Sequence, residues 1–150
     1  MSQRPDFLSV GQDAVNAMVG LEKHIARSSL EKPLRELVRL RVSQINGCAY
    51  CADMHVSDAR KGGEDERRLA TLVAWRETPF FSERERAALA WAEAVTLVSH
   101  DHVPDAVWQE AHEHFSDAEM IDLTLLVVAI NGWNRFAIAF RKQPQGRAKS

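Results

Sequence analysis

Cys48 and Cys51 lie three residues apart, and His55 follows the second by four. They are the only cysteines among 150 residues. Glu36 stands twelve positions before Cys48. If a helix begins at Gly47, then Cys48, Cys51 and His55 fall at i, i+3 and i+7, on one stripe. The thiolate is the reactive form of cysteine, and a free thiol is only slightly ionised at neutral pH. Cys48 would sit at a helix N-terminus, where the dipole and unpaired N–H groups favour an anion. His55 can take a proton from Cys51, and Glu36 can orient the imidazole and balance its charge. Two thiols at this spacing can close a disulfide once one is oxidised. The expected chemistry is thiolate attack on a peroxide oxygen, a sulfenic acid on one sulfur, then condensation with the other. The dipole favours Cys48 as the attacking sulfur and the histidine favours Cys51, so the spacing leaves both open.

For Glu36 to reach His55 the chain must double back between them. Gly47 is the natural turn. Glu36 lies eleven residues before it and His55 eight after it. At about 1.5 Å per residue these are roughly 16 Å and 12 Å from the turn. The offset of about 4 Å is less than one helical turn and within reach of a glutamate, directly or through a water.

The remaining pattern is helical, with no period-two runs and no hairpin signal. Seven helices are expected. The first covers about Val10 to Arg27, with Ala14, Met18, Leu21 and Ile25 inward. The second opens at Glu31-Lys32-Pro33, with proline in its first turn, and ends at Gly47. Its stripe is Leu34, Leu37, Val38, Val42 and Ile45. The third runs from Cys48 to Gly62-Gly63, with Ala52, Val56 and Ala59 as a small packing face. The fourth covers about Glu64 to Trp75, before the Thr78-Pro79 break. Ser82/Glu85 and Ser116/Glu119 read as capping boxes. They open a fifth helix to about Ser99 and a seventh to about Arg141. A short sixth helix, Asp105 to His114, follows a loop from His100 to Pro104. The seventh helix is apolar on two sides, with Met120, Leu123, Val127 and Ile130 opposite Ile121, Leu125 and Val128. Such a helix is either central or shared with another subunit. The tail, residues 143–150, is expected to fray.

The length fits a single domain over residues 1–150 with a real core. Net charge is −2 and the sequence pI about 6.3. That disfavours nucleic acid as a partner and a helix-turn-helix reading of Leu34 to Arg60. The N-terminus lacks the pattern of a signal peptide. The longest uncharged run, Leu123 to Asn134, is too short to span a bilayer. A cytoplasmic protein with no membrane partner is expected, and in that reducing setting a cysteine pair points to redox or metal chemistry.

The stretch from Glu36 through Cys48-Ala49-Tyr50-Cys51-Ala52-Asp53-Met54-His55 matches E-x11-C-x2-C-x3-H. On this pattern, on the flanking Leu37 to Gly47, and on Ala74 to Ser82 and Asn131 to Arg141, the sequence resembles the alkyl hydroperoxidase D-like family of the carboxymuconolactone decarboxylase superfamily. The resemblance implies an all-α fold assembled as a homotrimer or homohexamer. It implies a thiol peroxidase acting on hydroperoxides, with an external dithiol as reductant and no cofactor. It makes Glu36, Cys48, Cys51 and His55 the catalytic set, with Cys51 attacking and Cys48 resolving. The sequence departs from the family at Tyr50, where characterised members carry a second histidine. Tyrosine is a poor base at neutral pH, so the relay lacks one member.

Other readings are available to the same residues. The cysteines could be two small buried hydrophobes. Cys48, Cys51, His55 and Glu36 could ligate zinc, although structural zinc sites usually bring a second Cys or His pair. A lyase acting on a carboxylated lactone would not require two cysteines. A redox sensor would use the disulfide as a switch. His100/His102 and His112/His114 have a spacing that points side chains apart, and they read as solvated. Trp75, Trp91, Trp108 and Trp133 read as core or interface aromatics. Asn131, Asn134 and Arg135 need partners, either across a subunit contact or in the pocket.

Overall fold

The computed structural model describes residues 2–146. Among them there is no strand; nine α-helices and one 3-10 segment make up the fold. The helices are α1 Phe7–Val10, α2 Gln12–Arg27, α3 Lys32–Asn46, α4 Ala49–Lys61, α5 Glu66–Thr71, α6 Glu83–Thr96, α7 Val98–Asp101, α8 Asp105–His114 and α9 Asp117–Ala139. The 3-10 segment is Leu72–Glu77.

The sequence reading differs from this in four places. Val10 closes a separate short helix, capped by Asp6 through the Leu8 N–H and anchored by Phe7 stacked on Phe136. Gly11 then separates it from α2. Along α2, Ala14 is exposed, and burial reaches completion only at Ile25. The expected fourth helix is an α-helix capped by Asp65 that tightens to 3-10 geometry and kinks at Ala74 (φ −124°), which turns Leu72 and Trp75 inward. The loop expected from His100 begins with one helical turn, α7, ended by His102 in the left-handed region. Both capping boxes form as expected, with each serine accepting from the glutamate N–H at 3.2 Å.

α3 is the hub. It packs on α4, α6 and α9, and Leu34, Leu37, Val38, Leu40 and Val42 are all buried. Leu37 and Leu40 look into a smaller core with Leu69, Leu72, Trp75, Phe81 and Leu89. Leu34, Val38 and Val42 look into the main core, where α9 contributes Met120, Leu123, Leu126, Val127 and Ile130. Residues at i, i+3 and i+4 therefore serve two cores on opposite flanks of one helix.

α9 spans 23 residues, nearly twice the uncharged run read from the sequence. By length and composition it is the one described helix that could cross a membrane. Here it is a core helix that packs on α2, α3, α6 and α8. Its other side stays outward, with Ile121 71% exposed and Val128 and Ile138 also open. Of the tail, residues 147–150 lie outside the described residues. Before it, Lys142 pairs with Asp6 at 3.0 Å and Arg141 donates to the Ser2 carbonyl.

Candidate active site

Gly47 ends α3 in the left-handed conformation (φ +68°), which costs glycine little and a side chain more. Its N–H and that of Cys48 return to the carbonyls of Gln44 and Ser43. The chain therefore reverses within two residues, and Cys48 becomes the N-cap of α4. Its sulfur accepts the Cys51 N–H at 3.4 Å. Cys51 and His55 follow on the inner face of α4. Both cysteines are free thiols, 2% and 1% exposed.

The reversal carries Glu36 alongside His55. Glu36 Oε2 lies 3.0 Å from His55 Nδ1, and both residues are 7% exposed. The other oxygen, Oε1, accepts from Arg39 at 2.7 Å. Arg39 also donates to Glu22 on α2 at 2.6 Å, and Glu22 accepts from the Trp133 indole of α9 at 3.1 Å. A continuous chain of hydrogen bonds thus runs from Trp133 through Glu22, Arg39 and Glu36 to His55. Burial raises the Glu36 carboxyl, but the hydrogen bond from His55 and the Arg39 guanidinium outweigh it and leave it below the usual carboxylate range.

Behind the sulfurs lies a polar cluster. Asn134 is fully buried, donates to Ser43 Oγ at 3.1 Å, and accepts from Asn46 at 2.9 Å. Asn46 also donates to Asn131 Oδ1 at 2.9 Å. Asn131 in turn donates to Thr96 at 3.0 Å, and Arg135 donates back to Asn131. These polar groups of α9 therefore find their partners within the chain, at the end of α3 and on α6. They neither await another subunit nor line the cavity. The Asn134 side chain also favours the thiolate form of both cysteines.

The two thiols are unequal. The hydrogen bond from the Cys51 thiol lowers Cys48 to about 7, against burial, with help from the Cys51 and Tyr50 N–H groups and Asn134. The same hydrogen bond, with burial and the charge of Cys48, pushes the Cys51 thiol up. The first negative charge of the pair is therefore favoured on Cys48, at the helix N-terminus.

The thiols also face different spaces. Cys51 lines a cavity of about 350 Å³ with His55, Glu36, Arg39, Glu22 and Asp58, walled by Phe7, Leu8, Tyr50, Met54, Trp133 and Ala137. Cys48 lines a separate shallow groove with Tyr50, Ile138, Arg141 and Lys142. All four expected residues are thus brought together, but only Cys51, His55 and Glu36 share the larger cavity. Tyr50 borders both spaces.

A metal is sterically conceivable at one point. Glu36, His55 and Asp58 each offer a ligand atom within 4.8 Å of the others. Both Glu36 oxygens are already engaged by Arg39 and His55, and neither sulfur belongs to the set, so it differs from the zinc tetrad read from the sequence. His112 pairs with Asp117 at 2.7 Å and stacks on Trp108. His100 and His102 are exposed.

Sequence reasoning passed over Arg39, Glu22 and Asp58, and it left Asn134 without its actual partners. Arg39 had a local signal, since i+3 from Glu36 on a helix is an ion-pair spacing. Asp58 had the same spacing from His55. Nothing local could pair Glu22 or Asn134 with residues so distant in the chain.

Fold and site together define an all-α protein with a buried Cys-x-x-Cys dithiol set beside a Glu–His pair. The chain is an AhpD-like member of the carboxymuconolactone decarboxylase family, whose model matches residues 12–94. It is 44% identical over 139 residues to the uncharacterized protein YdfG of Bacillus subtilis, covering 93% of this chain and 95% of that one. The crystal structure of a candidate AhpD-type antioxidant defence protein of unknown function from Agrobacterium tumefaciens superposes with a TM-score of 0.93. The two share 38% identity over 97% of this chain and all of that one. A peroxidase-related protein from Silicibacter follows at a TM-score of 0.79 and 28% identity, covering 89% of this chain and 71% of that one.

Proposed function

We propose that the protein is a thiol peroxidase that reduces organic hydroperoxides to alcohols and is recharged by an external dithiol. The observation that carries this reading is the shared cavity. A thiol, an imidazole and a carboxylate line one largely apolar space, with the imidazole already bonded to the carboxylate at 3.0 Å. The peroxidase-related and antioxidant descriptions of its structural relatives support the same class.

In this reading Cys51, which faces the cavity, attacks. Its proton passes to His55, and Glu36 stabilises the resulting imidazolium. The thiolate forms a bond to the terminal peroxide oxygen, the O–O bond breaks, and the departing alkoxide takes the proton from His55. Cys48, already anionic, then attacks the Cys51 sulfenic sulfur. The S–S bond forms and hydroxide leaves. The external dithiol reduces the disulfide by exchange.

Three carboxylates, Glu22, Glu36 and Asp58, face the cavity against one guanidinium, Arg39. A negative site is a poor seat for a carboxylated lactone, which disfavours the lyase reading. For the outward apolar face of α9 we propose further copies of this chain, in the trimeric or hexameric arrangement expected from the sequence.

The test is thiol titration before and after one equivalent of cumene hydroperoxide. The expected result is loss of two thiols, recovered with dithiothreitol over repeated cycles. Cys51→Ser should abolish peroxide consumption, while Glu36→Gln and His55→Ala slow it. Wild-type turnover in Cys51→Ser would refute the assignment. Loss of thiols without turnover, accompanied by a change of assembly, would favour the redox switch.

A further inference from the structure

The proton count of the cycle leaves one proton unassigned. Resting on the peroxidase reading, His55 receives one proton, from Cys51, and gives it to the alkoxide. The hydroxide released when the disulfide forms needs another. Cys48 cannot supply it, because it attacks as an anion. The balance is thiolate plus thiol plus hydroperoxide plus one proton, yielding disulfide, alcohol and water. That proton must enter from solvent at each oxidation and leave again at each reduction.

The structure offers a route. Asp58 lies one turn after His55 on α4, half-buried. Its carboxylate, the His55 ring and the Glu36 carboxylate lie within 4.8 Å of one another. Among the described residues no side chain or N–H donates to that carboxylate. Asp58 and Glu36 also line a second cavity, of about 160 Å³, on the far side of the pair. Its other walls include Lys32, Pro33, Ala59, Gly62 and Glu64. At about 30 Å³ per water in the liquid, it has room for a few waters. The two carboxylates are therefore the partition between the dithiol cavity and a space leading toward the N-terminus of α3.

We propose that Asp58 is a relay residue that re-protonates His55 from solvent through this second cavity. Of the two carboxylates, Glu36 is held between Arg39 and His55 and stays charged. Asp58 has no such hydrogen-bond partner among the described residues. The charged groups facing it are Lys32, Glu36 and Arg39 from α3, Glu22 from α2, Glu64, and His55 itself.

The experiment compares wild type with Asp58→Asn and Asp58→Glu, pre-reduced and mixed with cumene hydroperoxide in a rapid-mixing instrument. Sulfenic acid is trapped with dimedone, and disulfide formation is followed separately. In Asp58→Asn the ratio of disulfide closure to sulfenic acid formation should fall about tenfold, less than the 10²–10⁴ of direct acid catalysis. The deficit should grow with pH. Added imidazole should restore the rate in Asp58→Asn and leave wild type unchanged, and Asp58→Glu should behave like wild type. Disulfide closure at the wild-type rate in Asp58→Asn, or a slow rate that imidazole does not restore, overturns the proposal. If wild type forms no sulfenic acid, the peroxidase reading fails instead. Asp58 is then tested with oxidised glutathione, where Cys51 must lose its proton outward as the mixed disulfide forms, and Asp58→Asn should slow that formation. An unchanged rate of mixed-disulfide formation would reject the relay as well.

Discussion

Arg39 grips Glu36 from the side opposite His55, at 2.7 Å, and reaches Glu22 with its other amino group at 2.6 Å. It fixes the rotamer of the carboxylate and supplies the charge that keeps it ionised. Replacing Arg39 by methionine leaves the buried Glu36 and the half-buried Glu22 without their cation, a loss of about 3 kcal/mol. At about 2–4 °C per kcal/mol for a chain of this size, Tm should fall by roughly 6–12 °C. The turnover loss should resemble that of Glu36→Gln. Calorimetry and peroxide consumption on Arg39→Met check both, and an unchanged Tm would show that the ion pairs add nothing.

The thiol pair predicts a pH dependence with a definite sign. Cys48 is lowered to about 7 from an ordinary 9.0, so between these values the unfolded chain binds more protons than the folded one. Stability of the reduced protein should therefore rise from pH 7 to 9, and this contribution should be lost as pH falls through 7. Cys51 is shifted upward, so its contribution is present below 9.0 and lost above it. Urea unfolding of the reduced protein across pH 6–10 should show a maximum near 9. Cys48→Ser should remove the rise.

At acid pH the carboxylates decide. Glu36, Glu85 and Glu93 are each raised by burial, but more strongly lowered by partners: His55 and Arg39 for the first, Arg68 for the second, and Arg76, Trp75 and Arg41 for the third. Their stabilisation is complete above the ordinary 4.5 and disappears as pH falls through the lower folded values. Acid unfolding below 4.5 should shift to higher pH in Glu93→Gln. A coincident transition would exclude Glu93 as a contributor.

Asn134 joins the sulfurs to α9. Asn134→Ala leaves Asn46 and Ser43 short of a partner in a buried place, which should cost about 1–3 kcal/mol. Asn134 also favours the Cys48 thiolate, so without it the alkylation profile of Cys48 with iodoacetamide should move upward in pH. Loss of stability with an unshifted profile would make Asn134 structural only.

The outward face of α9 is tested by charge. Ile121→Glu and Val128→Glu together should convert an oligomer to a monomer in light scattering, with helix content unchanged. Wild-type protein that is already monomeric would refute the proposed assembly.

The sequence carried the site's skeleton well because the skeleton is local. One glycine, one N-cap and two helical periods bring Glu36, Cys48, Cys51 and His55 together. The capping boxes at Ser82 and Ser116 were legible for the same reason. What escaped was decided by tertiary packing. Phe7 forms a helix because Phe136 waits for it. The 3-10 kink at Ala74 forms because Leu72 and Trp75 must both turn inward. Asn134 reads as an orphan until Asn46 and Ser43 are seen beside it. Asp58 follows His55 by three residues, but only the second cavity gives that spacing a meaning.

The reach of α2 and α9 into the site bears on whether it could be transplanted. A twenty-residue graft from Glu36 to His55 would carry the four reactive side chains in their order. It would leave behind Glu22, which braces Arg39, and Asn134, which lies against both sulfurs. Such a chimaera would possess the motif without its ionisation, and a designer would need to rebuild those two supports from the host scaffold before expecting a reactive thiol.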